Sequence, residues 1–116
     1  MTIPTLVIGD VFANPGTFYA NEPSAPVNVA NAVVTVSVVT TDHAIKMCDD
    51  TVLNNNNPLY PANQGRILIE IPGEVTAQIA DYVASTGSGL FEIQVNTGGY
   101  KYSWFSPVNL VRGQID

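Results

Sequence analysis

The sequence predicts a mainly β protein: an antiparallel, immunoglobulin-like sandwich of about seven short strands with one short helical crossover. Three observations lead there. Apolar residues alternate with polar ones in several short runs, and proline and glycine clusters break up those runs. A single segment shifts from the period of a strand to that of a helix.

Taken in chain order, Thr5–Ala13 and Gly16–Ala20 read as weaker strands separated by Pro15-Gly16. The stretch from Pro23 to Pro26 interrupts the chain before the most regular strand, Ala32–Thr40 (AVVTVSVVT). There Val34, Val36 and Val38 share one face, with Val33, Thr35, Ser37 and Val39 on the other. Ala44–Met47 is a further weak strand, and Arg66–Ile71 (RILIEI) a firm one, with Ile67, Ile69 and Ile71 alternating inward. Leu90–Asn96 (LFEIQVN) places Phe91, Ile93 and Val95 inward and Glu92 and Gln94 outward. Thr97-Gly98-Gly99 supplies a tight turn, after which Tyr100–Phe105 (YKYSWF) returns as the second arm of a hairpin. Pro107 then separates off a last strand, Val108–Arg112.

Pro72–Ser85 breaks the alternation, because Val75, Ile79 and Val83 recur every fourth residue with Tyr82 beside the last. That stripe predicts a helical crossover over about residues 73–85, lying across the open end of the sandwich. Pro72 lies at its start, Glu74 complements the dipole of its first turn, and Gly87 follows its end. The 116 residues are expected to form one domain, 1–116, carrying a long asparagine-rich loop at 49–65.

Charge is the most unusual total. Only 12% of residues are charged, against about 25% in an average soluble domain. Lys46, Arg66, Lys101 and Arg112 face ten carboxylates, for a net charge of -6. So few cations argue against nucleic acid, since phosphate recognition needs clustered Lys and Arg. The longest apolar runs fall far short of the roughly 20 residues of a membrane helix, so no membrane partner is expected. The N-terminus MTIPTLVIGDVFANPG lacks the basic and long apolar regions of a targeting peptide. A single cysteine, Cys48, excludes an internal disulfide, and no Asn-x-Ser/Thr acceptor is present. The polar residues are mostly Asn, Thr, Ser and Gln, which are less costly to desolvate than ions. A surface poor in lysine and glutamate resembles the centre of a protein–protein interface.

His43–Asn63 (HAIKMCDDTVLNNNNPLYPAN) gathers the sequence's reactive residues. Zinc needs three or four suitably spaced ligands, and one His and one Cys with Asp42, Asp49 and Asp50 do not supply that spacing. On a strand, His43 and Cys48 point to opposite faces, which disfavours a nucleophile–base dyad. Cys48 reads as a core filler, and His43 as a residue of a turn after Thr41-Asp42. The aspartates and asparagines lack the order of an EF-hand loop, with its central Gly and closing Glu. Asparagines instead cap their own backbone in turns. No metal or cofactor is therefore expected, and no enzymatic activity. The function left for a loop this long is contact, and Asn54, Asn55, Asn56, Asn57, Leu59 and Tyr60 form the candidate surface.

Tyr100, Tyr102 and Trp104 share one face of the hairpin's return strand. They read either as an exposed platform for stacking sugars or as an inner face with Trp104 as the sandwich's core tryptophan.

Two stretches, APVNVANAVVTVSVV (Ala25–Val39) and IPGEVTAQIADYVASTGSGLFEIQVNTGGYKYSWFSPVNLVRG (Ile71–Gly113), carry a resemblance in the order and spacing of their strands. They resemble the small β-sandwich modules of tailed-bacteriophage virions, of the baseplate, tail-fibre-attachment, head–tail and decoration types. The resemblance implies a structural role inside a virion, with other copies of the chain and other virion proteins as partners, and a homo-oligomeric state. It assigns no site residue. Two other readings are a glycan- or receptor-binding adhesion module, and a small hydrolase around His43 and Cys48. The proline-bounded EPSAP stretch, Glu22–Pro26, also suits a hinge by which Met1–Pro26 swaps onto a neighbouring copy.

Overall fold

The computed structural model describes residues 3–17 and 28–113. Among these described residues seven strands form two sheets: β1 (Thr5–Ile8), β2 (Phe12–Thr17), β3 (Val33–Val39), β4 (Lys46–Val52), β5 (Arg66–Ile71), β6 (Thr86–Thr97) and β7 (Tyr100–Arg112). The larger sheet has the order β1-β7-β6-β3-β4, and β2 pairs with β5 in the smaller one. All pairings are antiparallel except β1 with β7, where Thr5–Ile8 runs parallel to Asn109–Arg112. The fold is thus the expected mainly β, sandwich-like one with a single short helical crossover. The EPSAP hinge, and the part of the Gly16–Ala20 strand beyond Thr17, lie outside the described residues.

Alternation decides which side of each strand faces the core. Val34, Val36 and Val38 of β3 sit in register with Val95, Ile93 and Phe91 of β6, and all six are buried. Ile67, Ile69 and Ile71 of β5 oppose them from the smaller sheet, joined by Phe12 of β2, whose ring lies 5.0 Å from that of Phe91. Burying such side chains is worth roughly 1.5–3 kcal/mol each.

Several boundaries differ from expectation for identifiable reasons. The expected Thr5–Ala13 strand is broken at Gly9-Asp10, where Gly9 adopts φ 93, and β2 instead runs through Pro15-Gly16. β2 is an edge strand, where a missing N–H is tolerated. Tyr100–Phe105 and Val108–Arg112 are one strand, because Pro107 falls before β1 begins to pair at Asn109. β4 is longer than Ala44–Met47 and takes in Asp49–Val52, so the long loop starts at Leu53 and not at residue 49. Both Met47 and Cys48 are buried although they are neighbours, and the β3–β4 register is irregular just there. A bulge of this kind lets consecutive residues face one side.

The crossover is shorter than its apolar stripe suggested. The α-helix α1 covers Gly73–Thr76 and continues as a 3₁₀ turn over Ala77–Asp81, after which Tyr82 is left 53% exposed. Gly87 does not follow a helix end but lies within β6, as does Gly89, where a Cβ would meet Val39 O at 3.1 Å and Leu110 Cδ1 at 3.2 Å. Among the described residues, no helix is long and apolar enough to cross a membrane.

One buried hydroxyl fastens the crossover to the β1–β2 corner. Thr76 Oγ1 accepts the Gly9 N–H at 3.0 Å and donates to Asp10 O at 2.8 Å. The approach is close enough that a Cβ on Gly73 would lie 2.6 Å from Gly9 O. Thr76→Val should therefore cost about 1–3 kcal/mol in urea unfolding, since it strands two backbone groups, while Thr76→Ser should recover most of the loss. Gly73→Ala should be destabilised as well, by at least about 1 kcal/mol, because backbone has to move to admit the methyl group.

Candidate functional site

The loop from Leu53 to Gly65 begins at the same end of the sandwich as the β6–β7 hairpin. β4 and β6 deliver the chain to that end, and β3, β5 and β7 leave it. Its asparagines do separate work. The Asn54 side-chain carbonyl accepts the Asn56 N–H at 3.0 Å, and that of Asn57 accepts the Leu59 N–H at 2.9 Å. These are short Asx turns, the local capping expected of the residue type. Tyr60 N–H donates to Asn57 O at 3.0 Å, closing a turn over Pro58 and Leu59.

Asn55 acts over a much longer distance in sequence. Its carboxamide nitrogen donates to two backbone carbonyls, those of Val29 and Ala32, the latter at 2.7 Å. Val29 is fully buried, and its own N–H donates to Ala62 O at 2.8 Å. Leu53 N–H donates to Val34 O at 2.8 Å. The loop is thus tied at its start to β3 itself, and at its middle and end to the segment leading into β3. Asn55 serves this clamp with its side chain, whereas Asn54 and Asn56 are exposed.

What the clamp presents is Leu59, 75% exposed at the turn's apex. Tyr60 is half-buried, with the Arg66 guanidinium 5.8 Å from its ring centre. The hairpin stands beside the loop. Gly98 and Gly99 take φ 55 and 84 in its two-residue turn, and Tyr100 is 70% exposed next to them. Shallow depressions of about 340 and 320 Å³ separate these features, one lined by Ala30 and Asn55–Pro58, the other by Asn31 and Asn96–Lys101. The two candidate surfaces read separately from the sequence thus flank one segment, Asn28–Ala32.

The aromatic trio divides. Tyr102 and Trp104 pack against the core, half-buried, with their rings stacked 5.8 Å apart, and only Tyr100 projects. The inner-face reading holds for the first two. Trp104 also lines a groove of about 230 Å³ between β2 and β7, with Phe12, Pro15, Ile69 and Phe91.

His43 and Cys48 are separated by the fold. His43 lies at φ 65 in the exposed β3–β4 turn. Asp42 builds that turn by accepting the Thr40 hydroxyl at 2.5 Å and the Ala44 N–H at 3.0 Å. Those two hydrogen bonds favour the ionised form and hold the Asp42 carboxyl below its ordinary range. The His43 ring meets the Phe105 ring edge-on at 4.4 Å, and Ser37 and Val39 of β3 are buried. Cys48 faces inward from β4, and burial raises its thiol pKa. Among the described residues, no group of three or more His, Cys, Asp and Glu side chains is placed to hold a metal ion.

No protein-family model and no curated protein matches the sequence. Among solved structures, the chain is similar to the N-terminal domain of phage TP901-1 ORF48, with a TM-score of 0.46 and 13% sequence identity over 97% of this chain and 86% of that one.

Asn55→Ala should lose about 1–3 kcal/mol in chemical denaturation, because two carbonyls lose their donor, while Asn56→Ala should stay within about 0.5 kcal/mol. Asn55→Asp should cost at least as much as the alanine, since it turns a carboxylate towards two carbonyl oxygens. Cys48 should react with a thiol reagent at the rate of global unfolding, and pre-treatment with about 6 M urea should make it react at once.

Proposed function

We propose that the protein is a non-enzymatic structural subunit of a bacteriophage particle, working by protein–protein contact through the end that carries the asparagine loop. The tail or baseplate, including fibre attachment, is the preferred location, followed by capsid decoration. The observation that carries the reading is a pair of exposed apolar side chains, Leu59 and Tyr100, held at one end on hydrogen-bonded supports. A protein that only needs solubility gains nothing by fixing such residues in place. A docking surface does gain, because pre-ordering the contact lowers the entropy lost on binding.

Composition supports the same reading. With 12% charged residues, little of the surface resists desolvation when a partner covers it. The spacing of strands in Ala25–Val39 and Ile71–Gly113, which resembles virion sandwich modules, supplies the choice of particle. Partners are other copies of the chain and other virion proteins, and the location is the virion.

A second reading draws on the groove beside Trp104, whose aromatic wall and polar rim residues Asn14 and Ser106 suit a sugar ring. It makes the protein a glycan- or receptor-binding module. Binding on a glycan array that Trp104→Ala abolishes, with an unchanged circular dichroism spectrum, would establish that reading in place of the first.

The contact reading predicts concentration-dependent self-association in sedimentation velocity or native mass spectrometry. Leu59→Ser should weaken the association at least about fivefold while leaving the thermal midpoint within about 2 °C, since an exposed side chain contributes little to folding. Association unaffected by Leu59→Ser and by Tyr100→Ser would remove this end from the contact.

A further inference from the structure

Charge is divided between the two ends of the sandwich. At the loop-and-hairpin end the described residues carry two exposed cations, Arg66 at the start of β5 and Lys101 at the start of β7. At the other end lie Asp10 on the β1–β2 corner, Glu74 and Asp81 on the crossover, Asp42 on the β3–β4 turn, and Asp49 and Asp50 on β4, all exposed. Lys46 and Arg112 offset only part of that set, and Lys46 is already paired with Asp50 at 3.2 Å. Of the remaining carboxylates, Glu70 near the end of β5 is exposed and lines a depression with Leu53, Asn54 and Asn57, Glu92 is half-buried within β6, and Glu22 and Asp116 lie outside the described residues.

Exposed apolar side chains accompany the charges at both ends. Leu59 and Tyr100 stand beside the cations, while Val11, 63% exposed, and Tyr82, 53% exposed, stand beside Asp10 and Asp81. Each end therefore offers apolar contacts beside charge that is predominantly of one sign, and the predominant signs are opposite. Two copies of the loop end facing each other would bring like charges together. The loop end of one copy facing the crossover end of the next would pair them, and complementarity of this kind selects orientation more than it adds affinity.

We infer that the loop end docks onto the crossover end of a second copy, so that copies join head to tail. This rests on the contact reading above and names the partner surface. The interface is heterologous, so successive copies close into a ring or extend as a filament, according to the rotation between neighbours. Leu59 and Tyr100 meet the apolar surface around Tyr82 and Val11, and Arg66 and Lys101 face Glu74 and Asp81. Asp42 is left out of that pairing because its carboxylate is used in its own turn.

Charge reversal tests the arrangement. R66E/K101E makes both ends acidic, and E74K/D81K removes the acidic character of the crossover end. K101E alone serves as a control for any effect of losing Arg66 from the Tyr60 ring. In sedimentation velocity on the full chain at low salt, each double variant alone should associate at least about tenfold more weakly than wild type. An equimolar mixture of the two should regain association, because the new glutamates of one meet the new lysines of the other. Raising the salt to about 0.5 M should weaken wild-type association as well. Wild-type self-association that survives both reversals, or a mixture no better than its components, overturns the head-to-tail arrangement and leaves the contact reading in place. A wild type that stays monomeric at every concentration overturns both.

Discussion

Among the described residues a five-stranded sheet faces a two-stranded one that covers only part of it, and the structure depends on how the rest of the core is enclosed. The smaller sheet covers one stripe of the larger with Phe12, Ile67, Ile69 and Ile71. The ends have to be sealed by irregular chain, which brings backbone polar groups next to buried side chains. Such groups are tolerated only when each finds a partner. Two side chains meet much of that demand, Asn55 at the loop end and Thr76 at the crossover end. Each reaches across a large sequence separation to backbone that no strand would satisfy. A long loop and a short helical crossover are in this way part of the core's enclosure.

That arrangement links stability to function. The clamp around Val29 fixes the turn that carries Leu59, so the residues available for contact sit on a rigid base. The local asparagine turns shape the loop without ionised groups, which keeps its desolvation cost low. Acidic charge is mostly on the corner, the crossover, the β3–β4 turn and the middle of β4. In the head-to-tail arrangement proposed above, the few ionised side chains would set orientation and the loop end would make apolar contact.

Much of the fold was legible because alternation is a direct consequence of strand geometry. β3, β5 and β6 are long enough for apolar residues to alternate without interruption, and their inward faces are those the pattern indicates. β4 was less legible, since KMCDDTV has no such alternation: its two buried neighbours depend on a bulge set by pairing with β3. Pro107 looked like a strand boundary because the reach of β1 along β7 is a tertiary fact. The crossover stripe at Val75, Ile79 and Val83 identified the buried residues better than it did the length of the helix. For the site, the asparagines were correctly seen as backbone partners, but nothing in NNNNP distinguishes Asn55 from its neighbours. Its acceptors lie more than 20 residues away, on a segment that itself has no strand pattern. The aromatic hairpin was ambiguous for a related reason, as Tyr102 and Trp104 share the parity of the core positions while Tyr100 lies beyond the core's edge.

The asparagine loop is clamped onto the end of the core and moves with it. Residue-resolved hydrogen exchange tests this most directly, through the amides of Val29, Leu53 and Gly65, which donate to Ala62, Val34 and Ala62 respectively. Val29 and Leu53 should exchange as slowly as the Val34–Val38 amides of β3, with Gly65 protected to a lesser degree. Exchange of all three at the rate of an unstructured peptide, while β3 stays protected, would contradict it.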